Sequence, residues 1–252
     1  MIINVHAGHN PDGKPGCGAI GLIKESTEAR LVKDRVIALL RTKGHTVYDC
    51  TEDNGTGQSD VLTKIVRKCN AHKADIDVSI HFNAGRNAYI ADGQNAGAEV
   101  WIYSETSQAK DAAERICRNV STLGYNNRGV KTSKNLYVLR KTTAPALLVE
   151  CCFVDDADDV ALYNADTMAR AIAEGITGET ISYTEEPTQD GFMVKVKSRR
   201  LNIRAGAGKK YKRVGKIKDR GAYTIVETIG NWGRLASGAG WICISDKYVM
   251  RL

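Results

Sequence analysis

No stretch of this 252-residue sequence is apolar over the length a helix needs to cross a bilayer. Its start, Met1-Ile2-Ile3-Asn4-Val5-His6, lacks the basic region, long apolar segment and small-residue cleavage site of a secretory leader, and reads as a first strand. No Cys-x-x-Cys spacing occurs among the seven cysteines, Cys17, Cys50, Cys69, Cys117, Cys151, Cys152 and Cys243. An odd count, in a chain long enough to bury its own core, argues against a disulfide framework. Reduced and mostly buried thiols are expected, with vicinal Cys151 and Cys152 packing at a strand end rather than serving a thiol enzyme. Acidic residues are scarce in the tail. Residues 192–252 hold 15 Lys and Arg against 3 Asp and Glu, a net of +12, while residues 1–191 hold 21 against 26, a net of −5. The tail therefore calls for an anionic partner, either nucleic acid or a polyanionic cell surface. It has few exposed-looking aromatics and no recognition helix, which disfavours nucleic acid.

What is present alternates between strands and helices. Strands are expected at the N-terminus, at 46–48, through Asp77-Val78-Ser79-Ile80-His81-Phe82-Asn83, at 98–103 and at 145–150. Amphipathic helices are expected at 26–42, 60–70 and 108–121, with a fourth over 155–175 broken near Tyr163-Asn164. Residues 126–131 read as a loop and 136–139 as a strand or extended segment. The alternation predicts an α/β fold with a mixed, largely parallel sheet covered by helices on both faces. Residues 178–191 lack periodicity and read as a linker. Beyond them, short β segments at 192–196, 201–203, 211–217, 222–229, 232–236 and 240–244 predict a small barrel-like module.

Three apolar strands each end in an ionisable or metal-binding side chain: His9 after the first, His81 in the third and Glu150 after Ala146-Leu147-Leu148-Val149. His9, His81 and a helix-borne glutamate would make a His2Glu zinc site, a donor set that leaves a coordination position open for water. Glu25 and Glu28 compete for the third place. Glu25 falls near the middle of the inward helix face, and Glu28 lies about 60° away at 100° per residue. Glu28 reads equally as a first-turn acidic residue facing exposed amides, and His6 is a further competitor. Glu150, a carboxylate ending an apolar strand, needs a cation, donors or water. It is placed either as a general base and later proton donor, or in a salt bridge with Arg128 or Lys131.

Gly8-His9-Asn10, Glu25, His81-Phe82-Asn83-Ala84 and Leu147-Leu148-Val149-Glu150 together resemble the motifs of zinc-dependent N-acetylmuramoyl-L-alanine amidases, of the clostridial phage endolysin and autolysin type. The similarity spans about residues 1–177. Counting nineteen residues back from Gly44-His45, as the family does, lands on Glu25. The resemblance implies His9, Glu25 and His81 as ligands of Zn2+ and Glu150 as the catalytic base and acid. It implies hydrolysis of the bond between the N-acetylmuramic acid lactyl group and L-alanine by a zinc-activated water. Asn83, Arg128 and Lys131 become candidates for binding the substrate's carboxylates or carbonyl, with structural roles open for each. Ala7, where many members have proline, and Cys151-Cys152, where small or aromatic residues are usual, depart from the pattern without removing a functional group.

The tail resembles bacterial SH3-like domains of wall hydrolases through Leu201-Asn202-Ile203-Arg204-Ala205-Gly206-Ala207-Gly208, Asn231-Trp232-Gly233-Arg234-Leu235 and Gly240-Trp241-Ile242. The implied organisation is a catalytic domain at 1–177, a linker at 178–191 and a wall-binding domain at 192–252. Arg204, Trp232 and Trp241 are its candidate contacts, although tryptophans in so small a barrel are more often core. Peptidoglycan and anionic wall polymers are the expected partners, with no nucleic acid and no stable membrane insertion, for a monomer or weak homo-oligomer. Such a chain is expected to be made in the cytoplasm without a leader and to reach the wall after holin-type release or lysis. A zinc peptidase acting within the stem peptide, and a catalytically inactive wall-binding protein, are the competing readings.

Overall fold

The computed structural model describes residues 1–181 and 192–252. The chain divides into two compact units, Met1–Ile181 and Ser182–Leu252. Ten residues of the expected linker, 182–191, lie outside the described residues. Residues 178–181 close the first unit: Gly178 caps the preceding helix in the left-handed region, and buried Ile181 donates its backbone N–H to Glu174.

The first unit is built on a six-stranded sheet. Its strands are β1 (Ile2–Ala7), β2 (Thr46–Asp49), β3 (Ile76–Asn83), β4 (Ala98–Ile102), β5 (Asn127–Thr132) and β6 (Ala146–Phe153), in the order β2-β1-β3-β6-β4-β5. Every pairing is parallel except β4 with β6, so the sheet is mixed and largely parallel. Helices α1 (Glu25–Thr42), α3 (Lys110–Ser121) and α6 (Ala165–Thr177) cover one face, burying Val32, Val36, Ile116 and Ile172 against Ile3, Val5, Ile80, Leu147 and Val149. Helices α2 (Gln58–Asn70) and α4 (Tyr137–Lys141) cover part of the other face through Val61, Ile65, Val138 and Leu139, which meet Ala146 and Leu148. Each such fully buried aliphatic contributes about 1.5–3 kcal/mol. The break near Tyr163-Asn164 separates α5 (Ala157–Leu162) from α6, and it is a capping event. Asn164 accepts hydrogen bonds from the N–H groups of Asp166 and Thr167, starting a new helix.

Two local expectations are corrected. Residues 127–132 form the edge strand β5 rather than a loop. Gly129 sits at φ 77° beside a register shift in the pairing with β4, and this bulge of polar residues masks the period of two. Residues 137–141 form α4 rather than a strand. An apolar run of this length carries no period of its own, and the turn at Ser133, whose Oγ accepts from the N–H groups of Asn135 and Leu136, sets the helix.

The second unit is antiparallel: β7 (Phe192–Val196), β8 (Leu201–Arg204), β9 (Arg213–Ile217), β10 (Ala222–Ile229), β11 (Trp232–Leu235), β12 (Trp241–Cys243) and β13 (Val249–Arg251), ordered β13-β7-β10-β11-β12-β8-β9. Among the described residues no pairing joins β9 to β13, so the strands make one open sheet where a closed barrel was expected. Its small core is Val194, Val196, Leu201, Ile217, Ile225, Leu235, Ile242 and Val249. No helix among the described residues is long and apolar enough to cross a membrane.

Candidate metal centre and active site

The sheet's partly covered face carries the polar parity of its strands. Asn4 and His6 of β1 are register partners of Asp77 and Ser79 of β3. His81 pairs with Glu150 of β6, and Glu150 pairs in turn with Glu99 of β4. Three ionisable residues thus stand in one row across adjacent strands, about 4.8 Å apart.

Beyond β1 the chain turns sharply. His9 adopts φ 62°, a left-handed conformation that non-glycine residues rarely hold. Arg30 of α1 secures it, donating from Nη2 to the His9 carbonyl at 2.9 Å while Nη2 and Nε also reach Asp53. Asn10, fully buried, ties the same turn to Pro15 and Gly55. Glu25, at the N-terminus of α1, lies between the two imidazoles: His9 Nε2 is 3.2 Å and His81 Nδ1 2.9 Å from its Oε1. Its Oε2 accepts the Ala19 N–H at 2.8 Å.

His9, Glu25 and His81 each offer a ligand atom, and these atoms lie within 4.8 Å of one another; no other such cluster occurs among the described residues. Two glycines make room for them. A Cβ on Gly8 would fall 2.0 Å from the His81 ring, and one on Gly18 would fall 2.6 Å from Glu25 Oε2 and 2.9 Å from the His9 ring. The donor set and this clearance fit a catalytic zinc ion. Burial alone would raise the Glu25 carboxyl, but hydrogen bonds from His81 and His9 outweigh it and hold it well below the usual range.

The competitors lie elsewhere. Glu28 accepts from the Tyr163 hydroxyl at 3.1 Å, and burial raises its carboxyl. His6 is buried within β1 with Nδ1 3.4 Å from Ser79 Oγ, where burial and then the His81 charge push it down to about 3.

Glu150 lines a cleft of about 200 Å3 together with His9 and His81. Gln58, Val61, Leu62, Leu136, Tyr137, Val138 and Leu148 complete it, so the walls are apolar and the head is polar. Glu150 Oε2 is closed off from solvent and has no hydrogen-bond partner. Burial foremost, then the charges of Glu25 and Glu99, push its carboxyl up to about 8. Arg128 and Lys131 form their salt bridges with Glu99, at 2.6 and 2.5 Å, and not with Glu150. Asn83 also turns to Glu99, at 3.1 Å. Burial opposes ionisation of Glu99, but Lys131 and Arg128 overcome it and lower its carboxyl. Glu99 and Arg30 are the residues that sequence reasoning missed. The signal for Glu99 was present, since it alternates with Val100 and Ile102 and so points away from the core.

In the second unit, Arg204 spends its Nη1 on the carbonyls of Lys209 and Tyr211, and its guanidinium lies 5.9 Å from the Trp232 ring centre. Trp232 and Trp241 are both half-buried.

Comparison with known proteins bears on residues 3–179, which match the family model described as N-acetylmuramoyl-L-alanine amidase. An uncharacterised protein of Clostridium perfringens is 38% identical over 194 residues, covering 74% of this chain and 55% of that protein. The endolysin of Bacillus phage SPP1 is 32% identical over 184 residues, covering 69% of this chain and 62% of its own length. The chain thus spans little more than half the length of these curated relatives. Among solved structures, the catalytic domain of the CD27L endolysin targeting Clostridia Difficile superposes with a TM-score of 0.63 at 26% identity, covering 72% of this chain and 99% of that domain.

Proposed function

The chain belongs to the N-acetylmuramoyl-L-alanine amidase family, and on that premise we propose that it hydrolyses the amide joining the lactyl group of N-acetylmuramic acid to L-alanine in peptidoglycan. The observation that carries this reading is the cluster of His9, Glu25 and His81, two of whose members line one cleft with Glu150. His9, Glu25 and His81 would hold a zinc ion. When bound, such an ion supplies a Lewis acid for the scissile carbonyl and lowers the pKa of water.

Glu150 takes the proton of the attacking water and returns it to the departing alanine nitrogen. Its position supports the role, since it lines the cleft with His9 and His81 and its Oε2 has no competing hydrogen-bond partner. The apolar walls around Leu62, Tyr137 and Leu148 exclude water and leave the base a dry setting. Arg30 and Gly8 act at one remove, fixing the His9 turn and giving His81 its room. Asn83, Arg128 and Lys131 face the same row and are proposed to meet the peptide side of the substrate.

The proposed organisation is a catalytic domain over 1–177, a linker over 178–191 and an SH3-like wall-binding domain over 192–252. Support for the last comes from its sequence motifs and its net charge of +12, from 15 cations against 3 anions. Arg204, Trp232 and Trp241 are its proposed contacts with the wall, and likeness to an endolysin supports delivery to the wall after release or lysis.

Mass analysis of digested peptidoglycan, with and without a chelator, tests the reading. The expected products are intact glycan and free stem peptides beginning with L-alanine, lost with chelator and restored by zinc. Cleavage inside the stem peptide would replace the amidase with a peptidase.

A further inference from the structure

Next to the acid–base carboxylate stands a second carboxylate that the reaction does not use. Glu99 is 3% exposed and is the register partner of Glu150 on the same face of the sheet. Both of its oxygens are engaged. Oε2 accepts from Arg128 Nε at 2.6 Å and Lys131 Nζ at 2.5 Å, and Oε1 from Asn83 Nδ2 and Trp101 Nε1, each at 3.1 Å. Two cations share one carboxylate, so the group keeps a positive charge in excess. Arg128 gives only its Nε to Glu99, while its guanidinium rests 5.0 Å from the Phe153 ring centre; Lys131 Nζ lies 5.5 Å from that of Trp101. Both cations remain about one-third exposed, 30% and 33%. Long cationic side chains are costly to immobilise, and here the cost is met before any ligand arrives. A preorganised, partly desolvated pair with net positive charge suits a carboxylate.

We propose that Arg128 and Lys131, held in place by Glu99, form an anion subsite that reads the free carboxylate of the second stem residue. The chain then discriminates the acid from its amide at that position. This rests on the amidase reading above. The reach is right: Glu99 is one strand, about 4.8 Å, from Glu150, and an extended peptide advances about 3.5 Å per residue. A stem peptide running from Glu150 towards β4 would bring the residue after the released L-alanine over Glu99 and its two cations. Glu99 is a positioning residue, because it acts through the cations it orients. Asn83, with Nδ2 on Glu99 and Oδ1 accepting the Ala84 N–H, belongs to the same support.

The experiment compares two synthetic substrates, N-acetylmuramoyl-L-alanyl-γ-D-glutamyl-L-lysine and its counterpart amidated at the glutamyl α-carboxyl. The full-length zinc-loaded chain is expected to favour the free acid about tenfold or more in kcat/KM, the usual worth of a charge-assisted hydrogen bond, with the difference residing in KM. Calorimetric binding of the two released stem peptides should show the same preference without turnover. Arg128→Gln and Lys131→Met should each bring the acid-to-amide ratio towards one. Glu99→Gln should do so too, because a neutral amide offers one acceptor oxygen to four donors and no charge to hold the two cations. A purely structural Glu99 would slow both substrates alike and leave the ratio intact, which would overturn its role. Equal cleavage of both substrates by the unmodified chain overturns the subsite and leaves the amidase reading standing. Failure to cut either at the lactyl–alanine bond removes both.

Discussion

Replacing Gly8 with alanine should abolish tight zinc binding without touching a ligand. Its backbone is outside the left-handed region, so alanine is conformationally allowed and the effect is steric. The new Cβ would lie 2.0 Å from Cε1, 2.2 Å from Nε2 and 2.6 Å from Nδ1 of His81, against an ordinary contact of 3.4 Å or more. The ring must therefore retreat by about 1.4 Å. A zinc–imidazole bond of about 2.0–2.1 Å tolerates only about 0.2 Å of error, so His81 ceases to be a ligand. Loss of a supporting hydrogen bond alone typically costs about 10–100-fold in metal affinity. Displacing one of three protein ligands should cost about 100-fold or more, with activity falling in proportion. Competition with a chromophoric chelator measures the affinity, and a thermal melt of the metal-free protein separates it from unfolding; the strain on packing should be about 1–3 kcal/mol. A folded Gly8→Ala protein that binds zinc as tightly as its parent would refute the proposed site.

Three further outcomes are expected. Glu150→Gln should lower kcat by about 10²–10⁴-fold while zinc affinity stays close to that of the parent; full activity in a folded variant would end its assignment as acid and base. Asp77 is 2% exposed, and burial pushes its carboxyl from 3.8 up to about 6. The folded chain thus holds that proton more tightly than the unfolded one, and stability falls as pH rises from about 4 through 6, by about 3 kcal/mol in all. Asp77→Asn should remove this slope in denaturant titrations, and an unchanged slope would contradict it. Sedimentation with purified walls should show binding by the full chain weakening as salt rises beyond the Debye regime of about 0.1 M; salt-independent binding would dismiss the role of the tail's charge.

Much of the fold was legible because its strands alternate cleanly. The β3 run from Ile76 to Asn83 and the apolar stretch before Glu150 carry both their conformation and their chemistry in sequence. Helical phase favours Glu25 over Glu28 only modestly and the family resemblance carries the choice; in the structure one glutamate meets His9 and His81, the other Tyr163. What sequence hid was the product of register. Nothing local in Glu99 says that it faces Glu150, because that depends on how two strands distant in sequence align. Gly8 and Gly18 read as loop glycines, and the clearance they give to His81, Glu25 and His9 appears only once those side chains arrive from elsewhere in the chain. Likewise β5 was hidden by its bulge, and α4 by its brevity.

Register also explains the vicinal cysteines and the placement of Glu150. A strand that kept its alternation would place Cys151 and Cys152 on opposite faces, yet both lie in the core beneath α1, α3 and α6. After His81 pairs with Glu150, the next aligned pair is Asn83 with Phe153, so β6 carries one extra residue opposite β3. Such a bulge is uncommon between parallel strands and bends the chain that contains it. Here it lets Cys151 and Cys152 both enter the core while Glu150 keeps the polar parity shared by His81 and Glu99. A one-residue slip of β6 would send Glu150 into the aliphatic layer under α1 and α6 and bring a thiol to the head of the cleft. Burial of Cys151 and Cys152 in that core, which raises their thiols well above the ordinary range, therefore goes with the register that keeps Glu150 on the polar face.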